Sequence, residues 1–302
     1  MGPKAKLGFI GAGRVGAALA RCLAAAGYDI VAVASRTSSA AEAVAAGVPG
    51  CSVLPTPQAV ADRCDLVFIT TPDDAIETVI DGVGWRAGSA VVHTSGAKST
   101  EILSAAKAQG AETGSLHPLQ TFADAEQALA NLPGSVFAVE AEEELRQQLL
   151  AIVADLGGVA IELRPEEKAL YHAAAVLVSN YTVTLMKLAT DLWLRFGWER
   201  PAAVKALLPL LRGTVSNIAA LGLPAALTGP VARGDVETLE RHLAALAEAA
   251  PDALPAYKEL ALLTLPVALA KGTLSDDDAA SLRALLGRDL FPAGSGGAKR
   301  TS

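Results

Sequence analysis

Cysteine is scarce in this chain: Cys22, Cys51 and Cys64 are the only three in 302 residues, and none stands in C-x-x-C spacing. An odd, unspaced set excludes a disulfide framework and predicts reduced thiols in a cytoplasmic protein. Basic clusters are missing too. Lys and Arg number 25 against 32 Asp and Glu, the net charge is -7, and no stretch gathers cations into a stripe, which excludes a nucleic-acid partner. Only 19% of residues are charged while 51% are hydrophobic, so the chain can bury cores and is not disordered. There are just four histidines, so the place of each carries information.

A length of 302 residues predicts about two domains. The opening "MGPKAKLGFIGAGRVG" is not read as a secretory leader, because Arg14 and Arg21 interrupt the apolar run. Residues Ala169 to Met186 carry no charge over 18 positions, near the length of a spanning helix. His172, Ser179, Asn180 and two threonines lie inside that run, and placing them in lipid is costly. A buried helix of a globular core, with no membrane partner, is the expectation.

Through residue 163 the chain alternates short β-type runs with helix-capable stretches. Lys6–Ile10, Ile30–Ala34, Leu66–Thr71 and Ala90–Thr94 read as buried strands, with further strands at Thr113–Leu116, Ser135–Val139 and Val159–Leu163. Such alternation predicts an α/β fold, a doubly wound, mostly parallel sheet with helices on both faces. From Pro165, a good first helical residue followed by Glu166 and Glu167, the pattern is helical to about Leu286. The expected division is a nucleotide-binding domain over 1–163, a helical domain over 164–290 and a flexible tail over 291–302.

Gly11-Ala-Gly13-Arg14-Val15-Gly16 follows the first strand and opens a helix. In that context G-x-G-x-x-G is a dinucleotide fingerprint: one glycine for the tight turn, one for close approach of a pyrophosphate, one for helix–strand packing. The end of the second strand reads Ser35-Arg36-Thr37, where a site for NAD would carry a carboxylate. An arginine fork with hydroxyls suits a 2′-phosphate, so the expected cofactor is NADP(H). Ligands of such sheets lie beyond the carboxyl ends of the strands. Thr71-Pro72, Thr94-Ser95 and His117 end strands there, and Gln120 follows in "SLHPLQTF". Lys168 and His172 stand about 40° apart on one helix, Ser179 returns to that face, and Asn180 lies beside it. These residues mark a cleft, with His117, His172 and Lys168 as candidate catalysts and Ser95, Gln120 and Asn180 as candidate substrate contacts. His93, His117 and His172 lack the local spacing of metal-ligand pairs, so no metal is expected.

Together, "SLHPLQTF", "EEKALYHAAAVLVSNY" and "ALTGPVARGD" resemble oxidoreductases that pair a Rossmann-like domain with the helical domain of unknown function 2520. The arrangement is similar to the wider superfamily of 6-phosphogluconate and β-hydroxyacid dehydrogenases, ketopantoate reductases and pyrroline-5-carboxylate reductases. That resemblance implies an all-helical C-terminal domain of the 6-phosphogluconate dehydrogenase type, a small-molecule substrate in the interdomain cleft and a homodimer through the helical domain. It also gives Lys168 the place of the β-hydroxyacid dehydrogenases' acid/base lysine, although their glycine-rich lead-in is replaced by "RPEEK" and their amide residue by His172. Histidine titrates near pH 6.5 and can itself be the acid. Arg233 becomes a candidate clamp for a substrate carboxylate.

These readings point to an NADPH-dependent reductase of a small carbonyl or imine compound, a 2-oxo acid of the ketopantoate type being the first to try. The rival is a non-catalytic NADP-binding sensor or assembly module. Titration calorimetry should show NADPH binding much tighter than NADH, and Arg36→Ala should weaken NADPH selectively. Equal affinities, or an unchanged preference in Arg36→Ala, would remove the role given to Ser35, Arg36 and Thr37.

Overall fold

The structure, a computed structural model, describes residues 5–122, 127 and 130–287. The tail expected at 291–302 lies outside the described residues. The chain forms two compact units, Met1–Asn180 and Tyr181–Ser302.

In the first unit an eight-stranded sheet runs in the order β3-β2-β1-β4-β5-β6-β7-β8. Its strands are β1 (Lys6–Ile10), β2 (Asp29–Ala34), β3 (Ser52–Val53), β4 (Leu66–Ile69), β5 (Ala90–His93), β6 (Glu112–Pro118), β7 (Val136–Ala141) and β8 (Val159–Glu162). All neighbours pair in parallel except β6 and β7, which are antiparallel. The seven expected strands form, and β3 joins them with only two residues.

Strand residues alternate between two cores, as a pleat of period two requires. Leu66 and Phe68 of β4 face one side, where Phe68 stacks on Phe9 at 5.2 Å. Helices α1 (Arg14–Ala25), α2 (Ser38–Ala46) and a later helix over Glu143–Asp155 cover that side. Val67 and Ile69 face the other, under helices over Pro57–Arg63, Ile76–Asp81 and Ser104–Ala108. In chain order these four helices are α3 (Pro57–Arg63), α4 (Ile76–Asp81), α5 (Ser104–Ala108) and α6 (Glu143–Asp155). Each fully buried Leu, Ile or Phe contributes about 1.5–3 kcal/mol, so this double-sided core is the main stabilising term. The sheet order reverses between β1 and β4, opening a crevice at the carboxyl ends of the strands.

One 3₁₀ turn, Pro165–Glu167, leads into α7 (Lys168–Val178), which ends the first unit. The Arg164 backbone N–H donates to the Glu167 carboxylate at 2.9 Å, satisfying one of the free amides at this helix start. The sequence placed its division at 163; α7 packs with the sheet because the Lys168 side chain reaches into it.

The second unit contains α8 (Asn180–Leu194, from its second residue), α9 (Arg200–Leu221), α10 (Val236–Ala249), α11 (Leu254–Lys271) and α12 (Asp276–Leu286). Among the described residues it has no strand, as the helical pattern predicts. Asp235 caps α10, accepting from the Thr238 N–H at 3.1 Å. Leu239, Leu243 and Leu265 centre a core shared by α10, α11 and α12. Helices α8 and α9 contribute little to it: Thr190 and Ala203 are their buried residues.

Candidate active site

A cleft of about 630 Å³ lies over the sheet at the reversal point. Gly11, Gly13, Ser35, Arg36, Thr37, Thr71 and Pro72 all line it, so most of the expected cofactor residues come together. Gly11 has φ +107°, and a Cβ there would stand 2.7 Å from the Thr71 backbone nitrogen, which only glycine avoids. At Gly16 a Cβ would meet the Gly11 carbonyl at 2.5 Å, so α1 packs against the turn without a side chain. Gly13 is different: the nearest atom to its added Cβ is 3.9 Å away, leaving its face open to a ligand. The Thr71 hydroxyl is buried in the same cleft and has no hydrogen-bond partner among the described residues. Open glycine backbone, free helix N–H groups at α1 and an arginine beside hydroxyls fit a phosphorylated dinucleotide.

Arg14 begins α1 and is exposed, while Val15 packs into the core below. Thr94 donates its backbone N–H to Ile69 O at 3.2 Å and does not line the cleft. Wall residues such as Pro55, Pro57, Asp74 and Val79 carried no signal in the sequence. Pro57 opens α3, Val79 lies in α4, Asp74 stands in the 3₁₀ turn Asp73–Ala75 and Pro55 follows β3.

Beyond β5 and β6 a second constellation forms. His93 is fully buried; its Nδ1 accepts from the Ser95 N–H at 3.1 Å and its Nε2 reaches Ser99 O at 3.2 Å. Both ring nitrogens therefore serve the turn, and burial pushes its pKa down to about 3. Ser95 Oγ donates to Asp73 Oδ2 at 2.7 Å and accepts from the N–H groups of Ala97 and Lys98. That turn presents Gly96 to two imidazoles: an added Cβ would lie 2.8 Å from His117 Nε2 and from His172 Nδ1. The two rings stand edge to face at 6.2 Å. His117 Nδ1 pairs with the Tyr171 hydroxyl at 2.9 Å, and His172 Nδ1 is buried without a hydrogen-bond partner among the described residues. Burial, reinforced by the charges of His172 and Lys168, lowers the His117 pKa to about 4, and burial raises that of Tyr171 to about 12.

Lys168 is 2% exposed, and its ammonium has two hydrogen-bond acceptors and one ion-pair partner. It donates to Lys98 O at 2.7 Å and Ser115 Oγ at 2.5 Å, and forms an ion pair with Glu140 Oε2 at 3.1 Å. Glu140 Oε1 in turn accepts from the backbone and hydroxyl of Thr100. Burial lowers the Lys168 pKa, with Glu140 acting in the opposite direction. Two of the ammonium's protons are thus given to Lys98 O and Ser115 Oγ, and Glu140 faces it as an ion-pair partner.

Gln120 holds its own loop, donating to Asn131 O and Ser135 Oγ and accepting from the Thr121 N–H. Asn180 is exposed at the end of the first unit. Arg233 belongs to the second unit, is exposed and stands 3.8 Å from Asp235. Tyr171, Glu140 and Asp73 were missed. The spacing of Tyr171 from His172 gave no sign of its pairing with a residue 54 positions earlier.

Residues 1–118 match the model of a Rossmann-like domain, and residues 135–264 match that of the domain of unknown function 2520. Among solved structures, the chain is similar to the candidate NADP oxidoreductase BF3122 of Bacteroides fragilis. Identity there is 25%, over 87% of this chain and 97% of that one, with a TM-score of 0.69. Protein TM1727 of Thermotoga maritima is 27% identical over 88% and 99%, also at 0.69. A reductive aminase of Aspergillus terreus, solved with NADPH and ethyl-5-oxohexanoate, shares the fold at 19% identity over 94% and 93%, with a TM-score of 0.60. No curated protein matches in sequence.

The two depressed histidines make stability depend on pH. Between about pH 6.5 and 4 the unfolded chain binds protons on His93 and His117 that the folded chain refuses, so stability falls as pH drops through that window. At pH 5 the loss is on the order of 2 kcal/mol per histidine. Urea unfolding at pH 7 and pH 5 should show it, and His117→Asn should lose clearly less than the wild type. An equal loss in both would contradict the buried neutral state of His117.

Proposed function

From a chain that pairs a Rossmann-like domain with the domain of unknown function 2520, we propose an NADPH-dependent oxidoreductase that reduces a small carbonyl or imine substrate. The observation that carries the reading is the coexistence, in one unit, of a dinucleotide cleft and a turn where His117 and His172 converge on Gly96. Both sit beyond the carboxyl ends of the parallel strands, where this fold class binds its ligands. The oxidoreductase and reductive aminase among its structural neighbours support the cofactor.

NADPH, when bound, supplies a hydride to the electrophilic carbon. The chain's residues supply the rest. Gly11, Gly13 and the start of α1 would receive the pyrophosphate, and Ser35, Arg36 and Thr37 would receive the 2′-phosphate. His172, with Nδ1 unpaired at the Gly96 turn, delivers the proton to the oxygen or nitrogen that gains charge. His117 orients that atom. Lys168 holds the turn through Lys98 O and Ser115, and the acid role suggested by its position in the helix passes to His172. The Ser95 hydroxyl shapes the same turn. Asn180 is the residue of the first unit assigned to the substrate's far end. A 2-oxo acid of the ketopantoate type is the first substrate to try.

Assembly belongs to the same reading. The helical run Pro165–Leu194, α9 and the stretch Pro251–Lys271 are each long and apolar enough to cross a membrane, and the most apolar windows of the first two are wholly unburied within the chain. On α9, Leu210, Val215 and Ile218 are exposed. A face of this size needs cover. We assign it to a second copy of the chain, because α8 and α9 also carry Lys187, Asp191, Arg200 and Arg212, whose burial in lipid costs several kcal/mol.

Two measurements test this. His172→Gln should lower kcat on the order of 100-fold while leaving NADPH affinity unchanged, and turnover at the wild-type rate would end its role as the acid. Light scattering in detergent-free buffer should give twice the 30.8 kDa chain mass, reduced to one chain by Val215→Glu. A protein that remains in the membrane fraction, or a wild-type monomer, would reject the dimer.

A further inference from the structure

Tyr171 has no part in the fingerprint or in the proton delivery assigned above, yet it is half-buried with its hydroxyl 2.9 Å from His117 Nδ1. Its ring meets the His117 ring edge-on at 5.6 Å and 89°, so the phenol approaches in line with one nitrogen only. The other nitrogen, Nε2, faces Gly96 and has no hydrogen-bond partner among the described residues.

We propose that Tyr171 is a positioning residue that locks His117 in the neutral Nε2–H tautomer, so that the ring presents a fixed N–H donor, rather than a lone pair or a mobile proton, at the Gly96 turn. A neutral imidazole has one N–H, and the nitrogen that accepts a hydrogen bond is the one without it. Of the two possible arrangements, the phenol donates, because it is the stronger donor and the imidazole nitrogen the stronger acceptor. The surroundings favour the same species: burial holds His117 near pKa 4 and Tyr171 near 12, leaving phenol and neutral imidazole together across the range between. Lys168 and His172 face His117 as cationic or titratable neighbours, with Asp73 as the opposing carboxylate.

The consequence deepens the reductase reading on which it rests. A neutral N–H donor polarises a carbonyl or imine lone pair without giving up its proton, and the unpartnered His172 Nδ1 at the same turn is left to transfer one. His172 would supply the proton that accompanies the cofactor's hydride, and His117 would be unchanged before and after. The two histidines, alike in sequence and 55 positions apart, divide the work because Tyr171 binds only one of them.

The test uses the full-length ¹⁵N-labelled chain saturated with NADPH. Long-range ¹H–¹⁵N spectra, with His117→Gln to identify the signals, should show His117 protonated at Nε2 and bare at Nδ1, unchanged from pH 6 to 8. Tyr171→Phe keeps the ring and removes the hydroxyl. Its His117 signals should move to a mixture of tautomers, and kcat should fall about tenfold with KM changed by less than about twofold. A wild-type His117 carrying Nδ1–H, or protonated on both nitrogens at pH 7, overturns the proposal, as does a Tyr171→Phe chain that keeps the wild-type tautomer. If Tyr171→Phe does not fold, the wild-type spectrum alone decides. The tautomer is read without turnover, so a chain that binds NADPH and reduces nothing defeats the reductase reading while the His117 spectrum still judges this one.

Discussion

The ammonium of Lys168 is the constraint on which the first unit depends. A charge that is 2% exposed costs several kcal/mol to bury unless paired and hydrogen-bonded. Here Glu140 pairs it from β7, Ser115 accepts from it on β6, and Lys98 accepts from it in the turn after β5. One side chain of α7 thereby joins two strands and a turn that are far apart in sequence. With α7 held, Tyr171 and His172, three and four residues on, are carried to His117 and Gly96. Removing Glu140 alone would leave an uncompensated buried charge, a loss of about 3–5 kcal/mol.

The same contacts tie Lys168 to the sheet: two hydrogen bonds and one ion pair hold an ammonium that is 2% exposed. Two imidazoles lie beside it. One is held by a phenol, and the other has a buried nitrogen with no hydrogen-bond partner among the described residues. Polar groups left unsatisfied in a packed interior are costly and are most readily explained by a ligand that completes them.

Much of the fold was legible because its signals are local. Leu66–Ile69 and Ala90–His93 are unbroken apolar runs, as strands buried on both faces must be, and the glycine fingerprint sits where a strand meets a helix. Asp235 was readable as a cap because the N–H it accepts is three residues away. β3 escaped because Ser52–Val53 is too short to show any period. The compact units divide after Asn180, about one helix beyond 163, because Pro165 marks where strands stop while packing follows Lys168.

The side chains that gather around the Gly96 turn carried signals in the sequence, and their partnerships did not. His117, His172, Lys168 and Ser95 were marked by their scarcity and their place at strand ends. Their roles depend on contacts with Tyr171, Glu140 and Asp73, which lie 54, 28 and 22 positions away and leave no pattern in a single chain. The most direct measurement of the whole account is a crystal structure of the NADPH complex. The account predicts the pyrophosphate over Gly13 and the nicotinamide C4 facing the Gly96 turn, beside His117 and His172. A nicotinamide ring pointing away from both histidines would contradict it.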